Sequence, residues 1–201
     1  MKSTICTSMV NEIRASMMLI TTNAKELISQ QKLNQNVQIA LGDILSQATR
    51  TENYINKYQL IEQLKSGSIK EPQSSIEIMA LDSHLPNVRL HHMSTVLPVY
   101  GVERIYTALF DEMSRFIERY ISDGQVDMYI TYTDLEVTLH LCEPISDTDR
   151  QTLVDLMSSD SDIDMSLILE LVDFLNGGLM IDIDDPCRID MNVILPTNIR
   201  N

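Results

Sequence analysis

Tryptophan is absent from this 201-residue chain, and cysteine, phenylalanine, glycine and proline are sparse, at three, three, six and six. Three widely spaced cysteines, Cys6, Cys142 and Cys187, do not frame a disulfide-stapled fold and read as reduced cytosolic thiols. Cations are scarce as well: fifteen Lys and Arg face twenty-nine Asp and Glu, for a formal net charge of -14. That balance excludes nucleic acid and anionic membrane as partners, because both are held by clustered Lys and Arg. No apolar run approaches the ~20 residues that span a bilayer, and no basic segment followed by an apolar core marks a secretory leader. A cytoplasmic protein without membrane insertion is expected. No internal repeat or low-complexity segment is present, and a hydrophobic content of 44% is sufficient for a packed core.

Apolar residues in the first thirty positions fall at Ile5, Met9, Ile13, Met17, Ile20, Ala24 and Leu27. Steps of three and four place them on one stripe of a long helix over residues 4–30. Residues 33–65 repeat the pattern with Val37, Leu41, Ile44, Ala48, Thr51, Ile55 and Tyr58. The short connector at residues 30–32 folds the pair into an antiparallel hairpin. A hairpin alone leaves apolar surface open, to be covered by the rest of the chain or by a second copy completing a four-helix bundle.

The breaker-rich stretch SGSIKEP, residues 66–72, marks a boundary between residues 1–67 and a second domain over 74–201. There the texture turns to mixed α and β, giving an α+β protein. A short helix is expected at 74–84, a strand at 88–93 and a helix at 102–121. Two strands at 125–132 and 136–141 flank a turn at Thr133-Asp134. A helix at 167–175 is stopped by Asn176-Gly177-Gly178, and strands at 179–183 and 190–195 follow.

No metal site is expected. Asp160, Asp162 and Asp164 have the spacing of a calcium loop, but Met165 stands where its glycine belongs, so a solvated acidic turn is the reading. His91 and His92 point to opposite faces of a strand and cannot chelate together. His84 and His140 are isolated in sequence, and the twelve methionines read as core filling.

Residues 2–17, KSTICTSMVNEIRASM, resemble the phosphoacceptor box of sensor histidine kinases, K-S-x-F-x-x-x-x-S-H-E-I-R-T-P-L. Lys2, Ser3, Glu12, Ile13 and Arg14 fall on matching positions, while Asn11 replaces the histidine. A carboxamide has no nucleophilic nitrogen comparable to imidazole, so the family's phosphotransfer cannot start there. Ala15 stands where a phosphatase pattern wants Thr or Asn, so Glu12 reads as a surface charge. Ser16 replaces the family's proline, so the kink should be weaker or absent.

Residues 54–67 resemble the family's second hairpin helix, Arg104-Ile105 the start of its asparagine-box helix, and residues 171–196 the end of its ATP-binding domain. The resemblance implies a dimerisation hairpin followed by an α/β sandwich of the histidine-kinase ATPase type. The positions it assigns to nucleotide and magnesium are degenerate. Asp111 and Arg115 replace the two asparagines, and Arg115 has no lone pair to offer a cation. His140 and Cys142 fall on the aspartate and first glycine of D-x-G-x-G, and Asp162 and Asp164 on the two glycines of G-x-G-L-S. At a helix start those carboxylates read as caps that would repel phosphate.

The expectation is a catalytically inactive histidine-kinase-like protein, a homodimer that has lost ATP and magnesium. Its dimer seam is formed by Ile5, Met9, Ile13, Met17, Ile20, Leu41, Ile44 and Ile55. Its partner is a response-regulator receiver domain or a sensor kinase, docked on the solvent face of the first helix around Asn11, Glu12 and Arg14. The competing expectation is a working histidine kinase or phosphotransferase that binds ATP.

Overall fold

The computed structural model describes residues 2–29, 34–92, 98–121, 124–157, 162–185 and 188–197, with backbone alone for 2–9 and 147–148. The side chains of Ile5, Cys6 and Met9, the connector at 30–33, Met93, Asp160 and Cys187 lie outside the described residues. The chain divides into two compact units, Met1–Leu60 and Ile61–Asn201.

Helices α1 (Lys2–Ser29) and α2 (Gln35–Lys65) account for the first unit. The division falls inside α2, ahead of the 66–72 linker, because the last turn of α2 packs as part of the second unit. Ile61 and Leu64 are buried there, and Lys65 Nζ lies 3.0 Å from Glu170 Oε1.

The second unit begins with β1 (Ser74–Ile76), a 3-10 helix (Ile78–His84), β2 (Val88–His92) and β3 (Val99–Gly101). The helix expected over 74–84 is therefore split: its first residues form a strand that pairs antiparallel with the distant β3. Helix α3 (Glu103–Tyr120), β4 (Val126–Tyr132), β5 (Glu136–Pro144), α4 (Asp147–Met157), α5 (Ile163–Phe174), β6 (Gly178–Asp182) and β7 (Arg188–Pro196) follow. The five-stranded sheet has the order β2-β4-β5-β7-β6, with β2 parallel to β4 and every other pair antiparallel.

Strict alternation gives this sheet two unlike faces. Val126, Met128 and Ile130 of β4, Val137, Leu139 and Leu141 of β5, and Ile189, Met191, Val193 and Leu195 of β7 are buried. Intervening residues such as Tyr129, Thr138, His140, Cys142 and Asn192 occupy the half-exposed face. The buried face shares its core with the apolar side of α3 (Ile105, Leu109, Phe110, Met113, Phe116 and Ile117) and with Leu167, Ile168 and Leu171 of α5. Each such side chain contributes roughly 1.5–3 kcal/mol on burial.

Helix α5 ends in a Schellman turn. Asn176 adopts φ 55°, and the Asn176 and Gly177 N–H groups donate to the carbonyls of Asp173 (2.8 Å) and Val172 (2.9 Å). Asn176, not a glycine, takes the left-handed position. Gly177 is required for a different reason: a Cβ there would meet the Ile194 carbonyl oxygen at 2.4 Å, whereas at Gly178 it would meet only the Ile194 side chain at 3.9 Å.

Gly177→Ala is expected to lower stability by about 1–3 kcal/mol and Gly178→Ala to leave it nearly unchanged, as read by urea denaturation. Tyr106 is fully buried, its hydroxyl has no hydrogen-bond partner among the described residues, and burial pushes its pKa up to about 12. Tyr106→Phe should therefore raise stability by about 1 kcal/mol, since it removes an unpaired buried hydroxyl.

Candidate functional site

A cavity of about 490 Å³ opens where the C-terminal turn of α3, helix α4 and the start of α5 converge. It is lined by Arg119, Tyr120, Asp149, Thr152, Asp155, Leu156 and Asp162. Its chemistry is set by the cap of α5. Asp162 Oδ1 accepts the backbone N–H groups of Asp164 and Met165, both at 2.9 Å. A free helix start offers these amides to an anion; here the chain's own carboxylate has taken them. Asp164 in the first turn of α5 accepts from Arg119 Nη1 at 3.0 Å, so the lining guanidinium is engaged too. Burial, and then the neighbouring Asp162 carboxylate, hold the Tyr120 phenol above its ordinary range. Asp149, Asp155 and Asp162 thus face one partnered cation, an arrangement that repels phosphate.

The other positions that the resemblance singles out lie elsewhere. Asp111 and Arg115 are on α3 but do not line the cavity. His84 Nδ1 lies 2.8 Å from Asp111 Oδ1, tying the 3-10 helix to α3, and Arg115 donates to the buried Glu112. His84 is therefore not isolated. Nor is His140: it sits with Cys142 on the half-exposed face of β5, where its Nε2 is 3.3 Å from Asp190 Oδ1. The Cys142 thiol donates to the same carboxylate, which lowers the Asp190 pKa and raises that of the thiol, while Arg188 Nε holds Asp190 Oδ2 at 3.0 Å. On the same face, His91 Nε2 is 2.7 Å from Asp127 Oδ1 and its ring stacks on Tyr129 at 5.1 Å. Among the described residues no group of three His, Cys, Asp or Glu side chains is placed to hold a metal ion.

Sequence reasoning missed α4 and most of the cavity wall. The signal was present: Ser146 and Asp149 form the capping box Ser-x-x-Asp, with the Asp149 N–H donating to Ser146 Oγ at 3.2 Å, ahead of Leu153 and Leu156.

In the hairpin, Asn11, Glu12 and Ala15 are exposed on α1. Arg14 is not on their face. It turns toward α2, donating from Nη2 to Asn56 Oδ1 at 2.6 Å and to Gln59 Oε1. The expected apolar stripe separates into two rows. Met17 and Ala24, with Val10, are turned away from solvent, and so are Leu41, Ala48 and Ile55 on α2. Ile13, Ile20 and Leu27 recur every seven residues on α1, and Val37, Ile44 and Tyr58 lie at heptad positions on α2 with Thr51 between the last two; these six apolar residues remain 37–47% exposed.

The architecture is that of a histidine-kinase core: a helical hairpin followed by a mixed sheet carrying its helices on one face. The histidine kinase AdeS of Acinetobacter baumannii superposes with TM-score 0.59 at 11% identity, covering 92% of this chain and 96% of that one. Full-length ShkA in complex with AMPPNP superposes with TM-score 0.74 at 10% identity; the match covers 97% of this chain and 46% of ShkA, so this chain spans under half of that protein. The catalytic domain of the histidine kinase ThkA matches 63% of this chain with TM-score 0.50 at 9% identity. No protein-family model matches the sequence, and no curated protein matches it. No described helix is long and apolar enough to cross a membrane.

The His91 and Cys142 contacts depress the Asp127 and Asp190 carboxyls. Their stabilising effect is therefore complete above the ordinary carboxylate range near pH 4 and is lost as pH falls through the depressed values. Thermal unfolding scanned from pH 6 to pH 2 should show this loss, and the Asp127→Asn/Asp190→Asn double variant should show a shallower fall.

Proposed function

We propose that the chain is a catalytically inactive, histidine-kinase-like interaction module of two-component signalling. It acts in the cytoplasm as a homodimer and docks a receiver domain or a sensor kinase. The observation that carries this reading is on the hairpin. Two heptad-spaced apolar rows stand open beside a face that presents the Asn11 carboxamide where a phosphoacceptor would be needed. A second copy laid along those rows completes a four-helix bundle. Asn11, Glu12, Ala15, Met18 and Leu19 face away from the rows, so the bundle leaves them free for a partner. Met18 and Leu19 are 58% and 63% exposed, more than any row residue.

Charge supports the division of labour. Residues 1–60 hold six Lys and Arg and four Asp and Glu; residues 61–201 hold nine and twenty-five. The hairpin is nearly neutral and compatible with an acidic partner, whereas the second unit opposes a polyanionic nucleotide.

Sedimentation equilibrium should give a dimer, and Ile20→Asp should weaken it at least about a hundredfold by placing a charge in each half of the seam. Leu19→Glu should keep the dimer and weaken capture of receiver domains about tenfold. Calorimetric titration with ATP and magnesium should give no heat of binding. Nucleotide binding, or radiolabel transferred from γ-phosphate to the protein, would establish the competing kinase reading.

A further inference from the structure

Helix α1 carries two apolar rows, and hydrophobicity does not decide which one faces α2. Val10, Met17 and Ala24 point inward, while the bulkier Ile13, Ile20 and Leu27 are left outside. The rows are three residues apart, so turning α1 by about 60° exchanges them. The same ambiguity holds on α2, where Leu41, Ala48 and Ile55 point inward and Val37, Ile44 and Tyr58 outward. A packing rule that filled the seam with the largest side chains would select the opposite arrangement on α1.

What distinguishes the two arrangements is polar. Arg14 lies one position beyond Ile13, at the margin of the inward row, and its guanidinium reaches across the hairpin to the side-chain oxygens of Asn56 and Gln59. Turning α1 by one row carries this donor away and strands a part-buried charge and two carbonyl oxygens. A polar contact at one level of an apolar seam costs stability in return for a single register. Resting on the dimer reading above, we propose that Arg14 selects which apolar row of α1 faces α2, and so which row is left for a second copy of this chain. The same contact fixes the direction in which Asn11, Ala15 and Met18 point, making Arg14 a positioning residue for the docking face.

The test places one nitroxide on each protomer, at Ala15→Cys in full-length protein with Cys6, Cys142 and Cys187 changed to Ser. The distance between protomers is then read by pulsed dipolar spectroscopy. The parent should give one narrow distance. Arg14→Met and, independently, Asn56→Leu/Gln59→Leu should keep their helical circular dichroism but split that distance or broaden it about twofold. Retention of the single parent distance in both variants overturns the proposal, and so does loss of helicity in both, which would make the contact purely stabilising. Absence of a dipolar signal in the parent itself overturns the dimer reading instead.

Discussion

The second unit depends on the match between one helix and one sheet face. Helix α3 presents Ile105, Leu109, Met113, Phe116 and Ile117 at helical spacing, and β4, β5 and β7 answer with alternate residues from Val126 to Leu195. Because strands alternate, burying that set forces every intervening side chain onto the opposite face. His140, Cys142 and Asp190 are consequently drawn together on the half-exposed face. The cavity is a second consequence. It forms at the C-terminal end of α3, where α4 and the capped start of α5 meet it.

The cavity and the hairpin share a theme of internal satisfaction. At α5 the donors available to an anion are consumed by Asp162, and the nearby cation by Asp164. In the hairpin, Arg14 spends its donors on Asn56 and Gln59. Each group is held by the chain itself, which favours fixed geometry over capture of a small charged ligand.

Much of this could be read from residue order, because the governing signals are local. The hairpin helices lie within two residues of the expected bounds, and β4, β5 and β7 follow period-two alternation bounded by turn residues. Asp162 reads as a cap from its place before an apolar run, and it is one. The failures lie where structure is set by distant partners. Residues 74–76 have no strand signal without Val99–Gly101 to pair with. Arg119 and Tyr120 become cavity wall only once α4 is in place, and α4 was hidden behind an uninterpreted capping box. The resemblance places His140 and Cys142 on a nucleotide loop, D-x-G-x-G. The strand runs on to Pro144 and carries both on the face away from the core.

The turn after α5 bears on how this protein ages. Asn-Gly is the dipeptide most prone to deamidation, by attack of the following backbone nitrogen on the side-chain amide, and Asn176-Gly177 is such a pair on an exposed corner. That nitrogen is donating to Val172 at 2.9 Å, and the glycine it belongs to is pressed against the Ile194 carbonyl. Cyclisation requires the Schellman turn to open and β7 to move away. The deamidation-prone pair is thus protected by the contact that ends α5.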